Sequence, residues 1–540
     1  MKSAASSLQT SFSNRPTTFL VTFPILLVLS LTTGCGYGGN STQPPKLSGN
    51  TSVTVVLSST ANDQLAEFDL EFQSVTLTSQ SGKTVSLLTA QQPSEFIHLN
   101  GAIDPLVTAV VPQDVYTAAT ATITFGSFVC IANGIIDGQP SLGITTYNNN
   151  VPASSVTVTL PSAITVTGTS MALALSLLAS QSATLPDCLN PMGFSGYALT
   201  PIFNLTPLTL ISSPTNPANG KLAGLEGEIA SFDSGNSNFT LAVPEGPEGT
   251  RRLSVSAGST TAFQGVSNVS ALATGMFVNI DGALRPDGSV AATRIALEDS
   301  SAVNMFTGPL MQIDSAVPVL MLYGRQEQGP LAPGPNGSGN YFDTPYISFS
   351  NAVFQVSGQF TNLQKLPFVP SFTAANMVAG QNVDVSAQAL STLGGVYTPA
   401  NTITLIPQTI NGTVMGSSTN GSFTDYTVSL APYDLFPALA VQPGQTTLLT
   451  NPSQVEVYVD GNTQLLNAQT LTAGSTLRFY GLVFNDNGRL RMDCTEVNDG
   501  VPFSPQSNAN ARLGNGQTRI VRRDGAGGLS KTITVVSSSQ

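Results

Sequence analysis

The chain has 540 residues, of which 9% are charged, and its formal net charge is −12. This length exceeds that of one ordinary domain, so several domains are expected. An acidic balance without a basic patch argues against nucleic-acid binding and against charge-driven binding to an anionic membrane surface. Ser, Thr and Asn are abundant, so solubility is expected to come from hydroxyl and amide groups.

The first 34 residues have the pattern of a secretory signal peptide. Lys2 and Arg15 precede a mostly apolar run at 19–31, and no acidic residue occurs among them. The run is too short to span a bilayer as a helix, which takes about 20 residues. We therefore predict that residues 1–34 direct export. Residues 35–50, rich in Gly, Ser, Asn and Pro, are predicted to form a flexible tether.

Small residues at 32–34 followed by Cys35 resemble the lipobox of bacterial lipoproteins. The resemblance implies cleavage before Cys35, acylation of its thiol and a lipid anchor in the cell envelope. The lipobox prefers Leu three residues before the cysteine, whereas this chain has Thr32 there and Leu31 one place earlier. Gly36 stands where a retention signal would place Asp. By resemblance to lipoprotein sorting, this implies the outer membrane rather than the inner one if the cell has both, with the protein facing the periplasm or the cell surface. The alternative is an ordinary signal peptide followed by a chance cysteine.

An alternating apolar pattern begins just after the tether and predicts β-strands. Val53 and Val55 start it, and at 68–72 apolar Phe and Leu alternate with Asp and Glu. Alternation of this kind is typical of strands with one buried face. Clusters of Gly, Pro and Asn separate the runs, and no capped helical pattern interrupts them. We predict an antiparallel β-sandwich at 51–210.

Two segments of this domain, TVVLSSTANDQLAEFDLEFQSVTL and VPQDVYTAATATITF, resemble an uncharacterised bacterial family of lipoprotein-borne β-sandwich domains. In that family a strand, a loop and a second strand lead to a V-P-x-x-x-Y segment, represented here by Val111, Pro112 and Tyr116. The resemblance covers about 50–208. It implies an envelope location and brings no known catalytic residues.

A degenerate repeat follows a linker predicted at 211–221. GMFVNIDG (275–282), GQNVDVSA (380–387) and GSTLRFYG (474–481) share a leading glycine and apolar residues at their fourth and sixth positions. A polar residue lies between those positions in each segment: Asn279, Asp384 and Arg478. The predicted units are 222–300, 303–407 and 408–500.

Each unit resembles a second uncharacterised family of small all-β domains, which are often found in tandem in bacterial envelope proteins. The first unit fits best, and a Gly- and Pro-rich insertion at 324–346 lengthens the second. We expect a strongly bent barrel of five or six strands per unit, with the glycines permitting bends or bulges. Convergent glycines in unrelated β-structure are the alternative. Residues 501–540 form a low-complexity tail, either disordered or closed by a hairpin at 518–536.

The predicted fold is therefore all-β, with an N-terminal antiparallel β-sandwich followed by three tandem small barrel-like repeats. If Cys35 carries lipid, then Cys130, Cys188 and Cys494 remain. Cys130 and Cys188 lie in one predicted domain and are candidates for a disulfide in an oxidising envelope, with two buried thiols as the equal alternative. Cys494 has no obvious mate. The single histidine, His98, cannot build a zinc site with scattered thiols, so neither a metal centre nor a cofactor is predicted.

The sequence offers few candidates for catalysis. His98 alternates with Ile97 and Leu99, which predicts a surface position on a strand rather than a general base. No GxSxG, Walker or zinc-protease motif occurs. Acidic clusters are the remaining candidates, since glycosidases need only two carboxylates. They are Glu245 with Glu248, Glu298 with Asp299, and Asp493 with Glu496 and Asp499.

A turn or a repeat-equivalent structural role explains each of these clusters. Other aspartates lie beside glycine or asparagine in apparent turns, where turn chemistry is a simpler account than an incidental calcium site. They are Asp281, Asp287, Asp460 and Asp486. We predict a lipid-anchored envelope protein with a non-catalytic binding, spacing or scaffolding role, whose partner is an envelope protein or polysaccharide. The alternative is an envelope polysaccharide hydrolase that uses a carboxylate pair.

Overall fold

A computed structural model shows the chain to be almost entirely β-structure, which confirms the predicted fold class. It describes residues 47–60, 65–88, 90–97, 99, 103–136, 139–149, 154–182, 200–208, 221–233, 235, 237–244, 250–285, 287–301, 304–324, 326–328, 346–358, 363–388, 398–430, 434–440, 448–465, 471–499, 517–521 and 532–536. They belong to one compact unit, Leu47–Gln540. None of the helices in these ranges has the length and apolar character needed to cross a membrane.

The first eleven strands of the chain belong to the N-terminal sheet. They are β1 Asn50–Thr60, β2 Leu65–Ser79, β3 Thr84–Ser86, β4 Gln92–Glu95, β5 Asp104–Pro112, β6 Asp114–Ile136, β7 Gln139–Asn149, β8 Ser154–Thr159, β9 Ile164–Val166, β10 Ser170–Leu178 and β11 Phe203–Leu208. A short helix, α1 Ala179–Ser182, follows β10. The order along the sheet is β7-β6-β8-β11-β10-β1-β5, and β2, β3, β4 and β9 attach beside this path.

Two of these pairings are parallel, β1 with β10 and β8 with β11. Alternation of apolar residues reports one buried face and does not distinguish parallel from antiparallel neighbours. The core of the sheet is apolar and rich in phenylalanine. Phe72, Phe96 and Phe203 meet there with ring centroids 5.6 to 6.1 Å apart. Edge and tilted contacts of this kind add to the stabilisation from burial.

The first barrel is a closed ring of five strands in the order β12-β13-β14-β16-β15. Its strands are β12 Lys221–Asp233, β13 Asn238–Pro244, β14 Thr250–Gln264, β15 Phe277–Leu284 and β16 Val290–Asp299, with a 3₁₀ turn at Val269–Ala271. The pair β14–β16 is parallel, and the other pairs of the ring are antiparallel. Val278, Ile280 and Ile295 lie in its apolar core.

The second barrel has the ring order β17-β18-β20-β23-β22, closed by the pairing of β18 with β17. Its elements are β17 Asn304–Asp314, β18 Val319–Leu322, β19 Gln326–Gln328, β20 Tyr346–Ser348, β21 Val353–Val356, a 3₁₀ turn at Leu363–Lys365, β22 Asn382–Ala387 and β23 Thr398–Leu405. Strand β19 adds to β17 outside the ring, and both β20 and β21 run parallel to β23.

The third barrel has the ring order β24-β25-β26-β29-β28, closed by a parallel pairing of β26 with β29. Its elements are β24 Gln408–Asn420, β25 Phe423–Leu430, α2 Leu435–Ala440, β26 Gln454–Val459, β27 Gln464–Leu465, β28 Thr476–Asp486 and β29 Arg489–Asp499. Two further strands, β30 Gln517–Val521 and β31 Thr532–Val536, form an antiparallel pair, and β30 pairs with β7 of the N-terminal sheet.

The three rings share a glycine turn. Gly275, Gly380 and Gly474 have φ angles of 89°, 99° and 90°, in the left-handed region that glycine adopts without strain. In each ring this glycine's N–H donates to a carbonyl oxygen on the opening strand. The acceptors are Ile229, Leu310 and Val414, at 2.9, 2.8 and 2.8 Å respectively. Each acceptor residue donates its own N–H to the carbonyl of the residue after the glycine.

The rings also share an irregularity in strand pairing. In each, the antiparallel register shifts by one residue at the same distance from the glycine. The shifts fall at Asp281/Gly282, Ser386/Ala387 and Tyr480/Gly481. A shift of this kind is a β-bulge, which bends the strand and increases its twist. It therefore helps a short strand pair to curve around a small barrel.

Neighbouring modules contact each other through apolar and charged side chains. Val55 of β1 faces the core of the N-terminal sheet, whereas the adjacent Val56 packs into the core of the first barrel. Asp104 on β5 and Arg251 on β14 form an ion pair 2.7 Å long with both side chains 4% exposed. Leu482 of the third barrel lies in the apolar core of the second.

Candidate functional site

The outer faces of the first and second barrels meet in a cluster of polar side chains. On β15, Val278 and Ile280 point into the barrel core, so Asn279 between them points outward. Asp384 takes the same position on β22 of the second barrel. An outward position on an isolated barrel would be exposed, yet Asn279 is 0% and Asp384 is 3% exposed. The contact between the barrels therefore buries both side chains.

We call this cluster the barrel junction. It comprises Glu226, Asn279, Asp281, Arg294, Glu298 and Asp299 of the first barrel, and Thr307, Asp384, Ser386 and Thr404 of the second.

Within the first barrel, Arg294 organises its side of the junction. Its guanidinium donates to Asp281 Oδ2 at 2.7 Å and to Asn279 Oδ1 at 2.7 Å. Asn279 Nδ2 in turn donates to Glu226 Oε1 at 2.8 Å. The other oxygen of Asp281 accepts from the backbone N–H of Gly224 at 2.9 Å. The geometry therefore directs the cation to Asp281 and Asn279, while Glu226 receives a neutral donor.

Two carboxyl groups at the end of β16 cross to the second barrel. Thr404 Oγ1 donates to Glu298 Oε2 at 2.8 Å, and Ser386 Oγ donates to Asp299 Oδ2 at 2.7 Å. Thr404 lies directly opposite Asp384 in the pairing of β22 with β23. Side chains opposite each other on one sheet face have Cβ atoms about 5 Å apart. Glu298, Asp299 and Asp384 therefore occupy one patch.

Burial dominates the electrostatics of this patch. It raises the pKa of Glu298, against the opposing effects of the Thr404 hydrogen bond and the charge of Arg294. It raises the pKa of Asp384 to about 8, with the Glu298 charge as the next cause. For the half-buried Glu226, burial and then the charges of Asp384 and Glu298 raise the pKa well above its ordinary range. Each of these groups therefore keeps its proton to a higher pH than an exposed carboxyl group does.

The third barrel contributes a further polar pair to the same environment. Tyr480 on β28 lies opposite Glu496 on β29. Burial, followed by the charges of Glu496, Glu226 and Asp281, raises the pKa of the Tyr480 phenol. Burial also raises the pKa of Glu496 to about 7, while the charge of Arg478 lowers it. The outward faces of all three barrels are thus electrostatically linked.

The structure brings some of the sequence-predicted acidic residues together and separates others. Glu298 and Asp299 lie in the junction, as does Asp281. Asp493 lies on β29 of the third barrel, where burial, and then the charge of Asp460, raises its pKa to about 6. Asp460 itself accepts the backbone N–H groups of the two residues that follow Gly461, which is the turn geometry expected from sequence.

Several predicted positions cannot be compared with the fold. Outside the described residues lie Cys35, His98, Cys188, Glu245 and Glu248, together with the side chains of Cys130 and Asp499. The lipid attachment and the Cys130–Cys188 bridge therefore stay predictions. Cys494 is a free, buried thiol whose Sγ contacts the carbonyl oxygen of Glu496 at 3.2 Å. In the described ranges, no three His, Cys, Asp or Glu side chains are grouped to hold a metal ion.

Sequence reasoning missed three central members of the junction: Glu226, Arg294 and Asp384. A signal for one of them was present, because Asp384 stands in the polar column between two apolar columns of the repeat. A charged residue in an otherwise apolar strand indicates that the outward face of the strand makes polar contacts. That signal identifies a face, but not its burial by a neighbouring barrel.

A separate surface cavity of about 300 Å³ lies between the N-terminal sheet and the first barrel. Pro105–Thr108 of β5, Arg252–Ser254 of β14 and the turn Asp287–Ser289 line it. Arg252, Asp287 and two serines line this space together with apolar residues such as Leu106 and Val107.

Residues 226–296 match the model of a family described as Domain of unknown function (DUF5666). The match lies within the first barrel and includes Glu226, Asn279 and Arg294, whereas Glu298 and Asp299 follow its end. The predicted resemblance of this unit to an uncharacterised domain family is confirmed for these residues. No curated protein matches the chain.

Proposed function

We propose that this protein is a lipid-anchored scaffold of the bacterial cell envelope, in which the β-modules bind or space other envelope components without catalysing a reaction. The proposal rests on the hydrogen bonds that two acidic residues accept in the folded protein. Glu298 and Asp299 formed one of the three acidic clusters that the sequence offered as candidates for a hydrolase. Their carboxyl groups accept hydrogen bonds from Thr404 and Ser386 of the next barrel.

This engagement supports a structural role for the pair. Both side chains are less than 10% exposed, at 8% for Glu298 and 7% for Asp299. A glycosidase requires one carboxyl group on each side of a bound sugar, with room between them for the scissile bond. Carboxyl groups bonded to the hydroxyls of a neighbouring module instead fix two modules relative to each other.

The tandem character of the three barrels is part of the proposal. The same order of strand pairing, the same left-handed glycine and the same register shift support descent of all three from one unit. A family match for 226–296 supports the identity of the first. Repetition of one small unit extends the surface that a protein offers to its partners.

The anchor part of the proposal rests on the sequence alone. A basic, then apolar, segment ends in small residues and Cys35, and a protein tethered there by lipid needs no membrane-spanning helix. An outer-membrane location follows from Gly36 if the cell has two membranes. The partner is an envelope protein or polysaccharide, reached through the weakly charged surface of the modules.

One preparation tests both parts. The wild-type protein and a Cys35→Ser variant are expressed with a fatty-acid analogue. The wild type is expected to carry label and to fractionate with membranes, and the variant to do neither, because the thiol is the attachment atom. The purified wild type is then screened against ester, peptide and glycan substrates, and no turnover is expected. Equal labelling of both proteins would exclude the anchor at Cys35.

An envelope polysaccharide hydrolase is the second candidate, favoured by one observation. Burial raises the pKa of Glu496 to about 7, which is the range of a general acid in glycoside hydrolysis. Asp493 lies three residues earlier on the same strand. Glycan turnover that is lost in Glu496→Gln and in Asp493→Asn, but kept in a control Glu71→Gln in the N-terminal sheet, would establish the hydrolase and overturn the scaffold.

A further inference from the structure

The barrel junction has an imbalance of charge. Among the described residues, its carboxyl groups belong to Glu226, Asp281, Glu298, Asp299 and Asp384, and its cation is Arg294. The guanidinium is directed to Asp281 and Asn279 and makes no hydrogen bond to Glu298 or Asp384 that would neutralise them. Burying several ionised carboxylates around one guanidinium is unfavourable, and buried carboxyl groups avoid it by keeping protons.

The partners in the junction tolerate neutral acids. Asp384 accepts from the Thr307 hydroxyl at 3.0 Å, and Glu298 accepts from the Thr404 hydroxyl at 2.8 Å. A hydroxyl can donate to either form of a carboxyl group, and it can also accept from a protonated one. The hydrogen bonds across the junction therefore do not require ionised carboxylates.

We propose that Glu226, Glu298 and Asp384 make the barrel junction a proton-sensitive latch between the first two barrels. The latch is closed while these carboxyl groups are neutral. It loosens when they ionise, because like charges then face each other across a desolvated contact and one guanidinium cannot balance them. The latch joins two barrels within the fold and depends neither on the lipid anchor nor on the scaffold role.

The charged and titratable groups that face the latch residues come from the first and third barrels. From the first barrel they are Arg294, Asp281 and Asp299. From the third they are Tyr480 and, behind it, Glu496 with Arg478. Arg294 opposes the rise in the pKa of Glu226 and Glu298, while the neighbouring carboxylates reinforce it for Glu226 and Asp384. Burial is the largest cause of the raised pKa of each of the three latch residues, and it exceeds the attraction of Arg294 for Glu226 and Glu298.

The direction of the pH effect follows from linkage. The pKa of Asp384 is about 8 in the folded protein, against an ordinary value of 3.8. Between these values the folded protein holds a proton that the unfolded chain has released, so the free energy of unfolding falls as the pH rises. Contributions from Glu226 and Glu298 have the same sign. The stabilisation is complete below about pH 4 and is lost progressively as the pH approaches 8.

The test compares urea unfolding of the full mature chain at pH 5.5 and pH 8.5. Hydrogen exchange is followed at the same two pH values, with exchange times adjusted so that unprotected amides exchange to the same extent. The variants are Asp384→Asn and Glu298→Gln, whose amide oxygens still accept from Thr307 and Thr404 but cannot ionise. Glu71→Gln, in the N-terminal sheet, is the matched control. Its carboxyl group accepts from Thr124 Oγ1 at 3.0 Å, outside the junction.

For the wild type and Glu71→Gln, we expect the urea midpoint to be lower by roughly 0.5 M at pH 8.5 than at pH 5.5. Exchange protection should fall first at the end of β16 and in β22. Asp384→Asn should remove at least half of this pH difference, and Glu298→Gln a smaller part. If Asp384→Asn does not fold, the pH difference in the urea midpoint of Glu298→Gln alone tests the proposal. The latch is excluded if the wild type shows equal midpoints at both pH values, or if the folded variants keep its full pH difference.

Discussion

At the scale of single residues, the glycine turn of each barrel has the same backbone and different surroundings. A Cβ atom on Gly380 would lie 2.7 Å from Cδ1 of Phe436, a ring buried in the third barrel. A Cβ atom on Gly474 would meet no atom within 4 Å. Both residues have φ near 90°, where an L side chain is strained. Comparing substitutions at the two glycines therefore separates the effect of backbone strain from the effect of steric crowding.

We predict that Gly474→Ala lowers the free energy of unfolding by about 1 kcal/mol, the usual effect of a side chain in a left-handed conformation. Gly380→Ala should lower it by about 3 kcal/mol or more, because the methyl group also forces the Phe436 ring to move within a packed core. Urea unfolding of the two variants at one pH measures both values. Equal losses would mean that the Phe436 ring yields without cost, and that the two barrels pack more loosely here than the distance implies.

The polar column of the repeat shows how far sequence reasoning reaches at this scale. Alternation correctly put Val278 and Ile280 on one face of β15, and therefore Asn279 on the other. It could not show that Asn279 is fully buried, because a second barrel covers that face. A strand's own pattern reports which side chains share a face, and the environment of the outer face depends on contacts far away in the chain.

At the scale of strands, the acidic residues of β16 also make contacts that their sequence pattern does not predict. The register shift between Phe277 and Val278 leaves Glu298 as an extra residue opposite β15. This bulge turns the strand end towards the second barrel, where the carboxyl group meets Thr404. No periodicity in the sequence predicts a bulge at one position, so the partners of the adjacent acids at 298 and 299 could not be foreseen, and the structural role of these acids stays a prediction.

A buried ion pair joins β5 of the N-terminal sheet to β14 of the first barrel. Arg251→Met is predicted to lower the free energy of unfolding by about 3 to 5 kcal/mol, because it removes the guanidinium that forms an ion pair with the buried Asp104 carboxylate. The double variant Asp104→Leu with Arg251→Met should recover most of that loss, since an apolar pair of similar volume avoids the desolvation of two charges.

Urea unfolding of the single and double variants at pH 7 provides the measurement. Glu228→Gln, in strand β12 of the same barrel, serves as a control for the loss of one charge in the first barrel. If the double variant is no more stable than Arg251→Met, the loss of stability in Arg251→Met comes from the missing ion pair and not from the desolvation of the Asp104 carboxylate. No sequence pattern indicated the pair, because its members are 147 residues apart.

At the scale of the whole unit Leu47–Gln540, the described modules share apolar cores. Leu482 and Phe484 on β28 of the third barrel lie in the core of the second, and Val378, which precedes β22, lies in the core of the third. Gln381 Nε2 donates to the carbonyl oxygen of Val483 at 2.9 Å between them. Sequence predicted three units because each repeat carries its own alternation, but alternation leaves open whether a strand's second face meets solvent or a neighbour.

Adjacent residues of β28 therefore serve different barrels, which leads to the last prediction. Leu482 and Val483 are both 0% exposed, with Leu482 in the second barrel's core and Val483 in the third's own core. Each change to Ala is expected to lower the free energy of unfolding by about 1 to 5 kcal/mol through the lost contacts and the cavity left behind. The location of the loosening should differ between them.

Hydrogen exchange followed by mass spectrometry distinguishes the two variants. In Leu482→Ala, protection should fall in β22 and β23 of the second barrel at least as much as in β28, because the cavity opens on the second barrel's side. In Val483→Ala, the loss should begin in β24, β28 and β29 of the third barrel. A loss confined to the third barrel in both variants would show that the second barrel holds its core without Leu482. The barrels would then behave as separate units that merely touch, whereas spread of the Leu482→Ala effect into β22 and β23 means that they are stable only together.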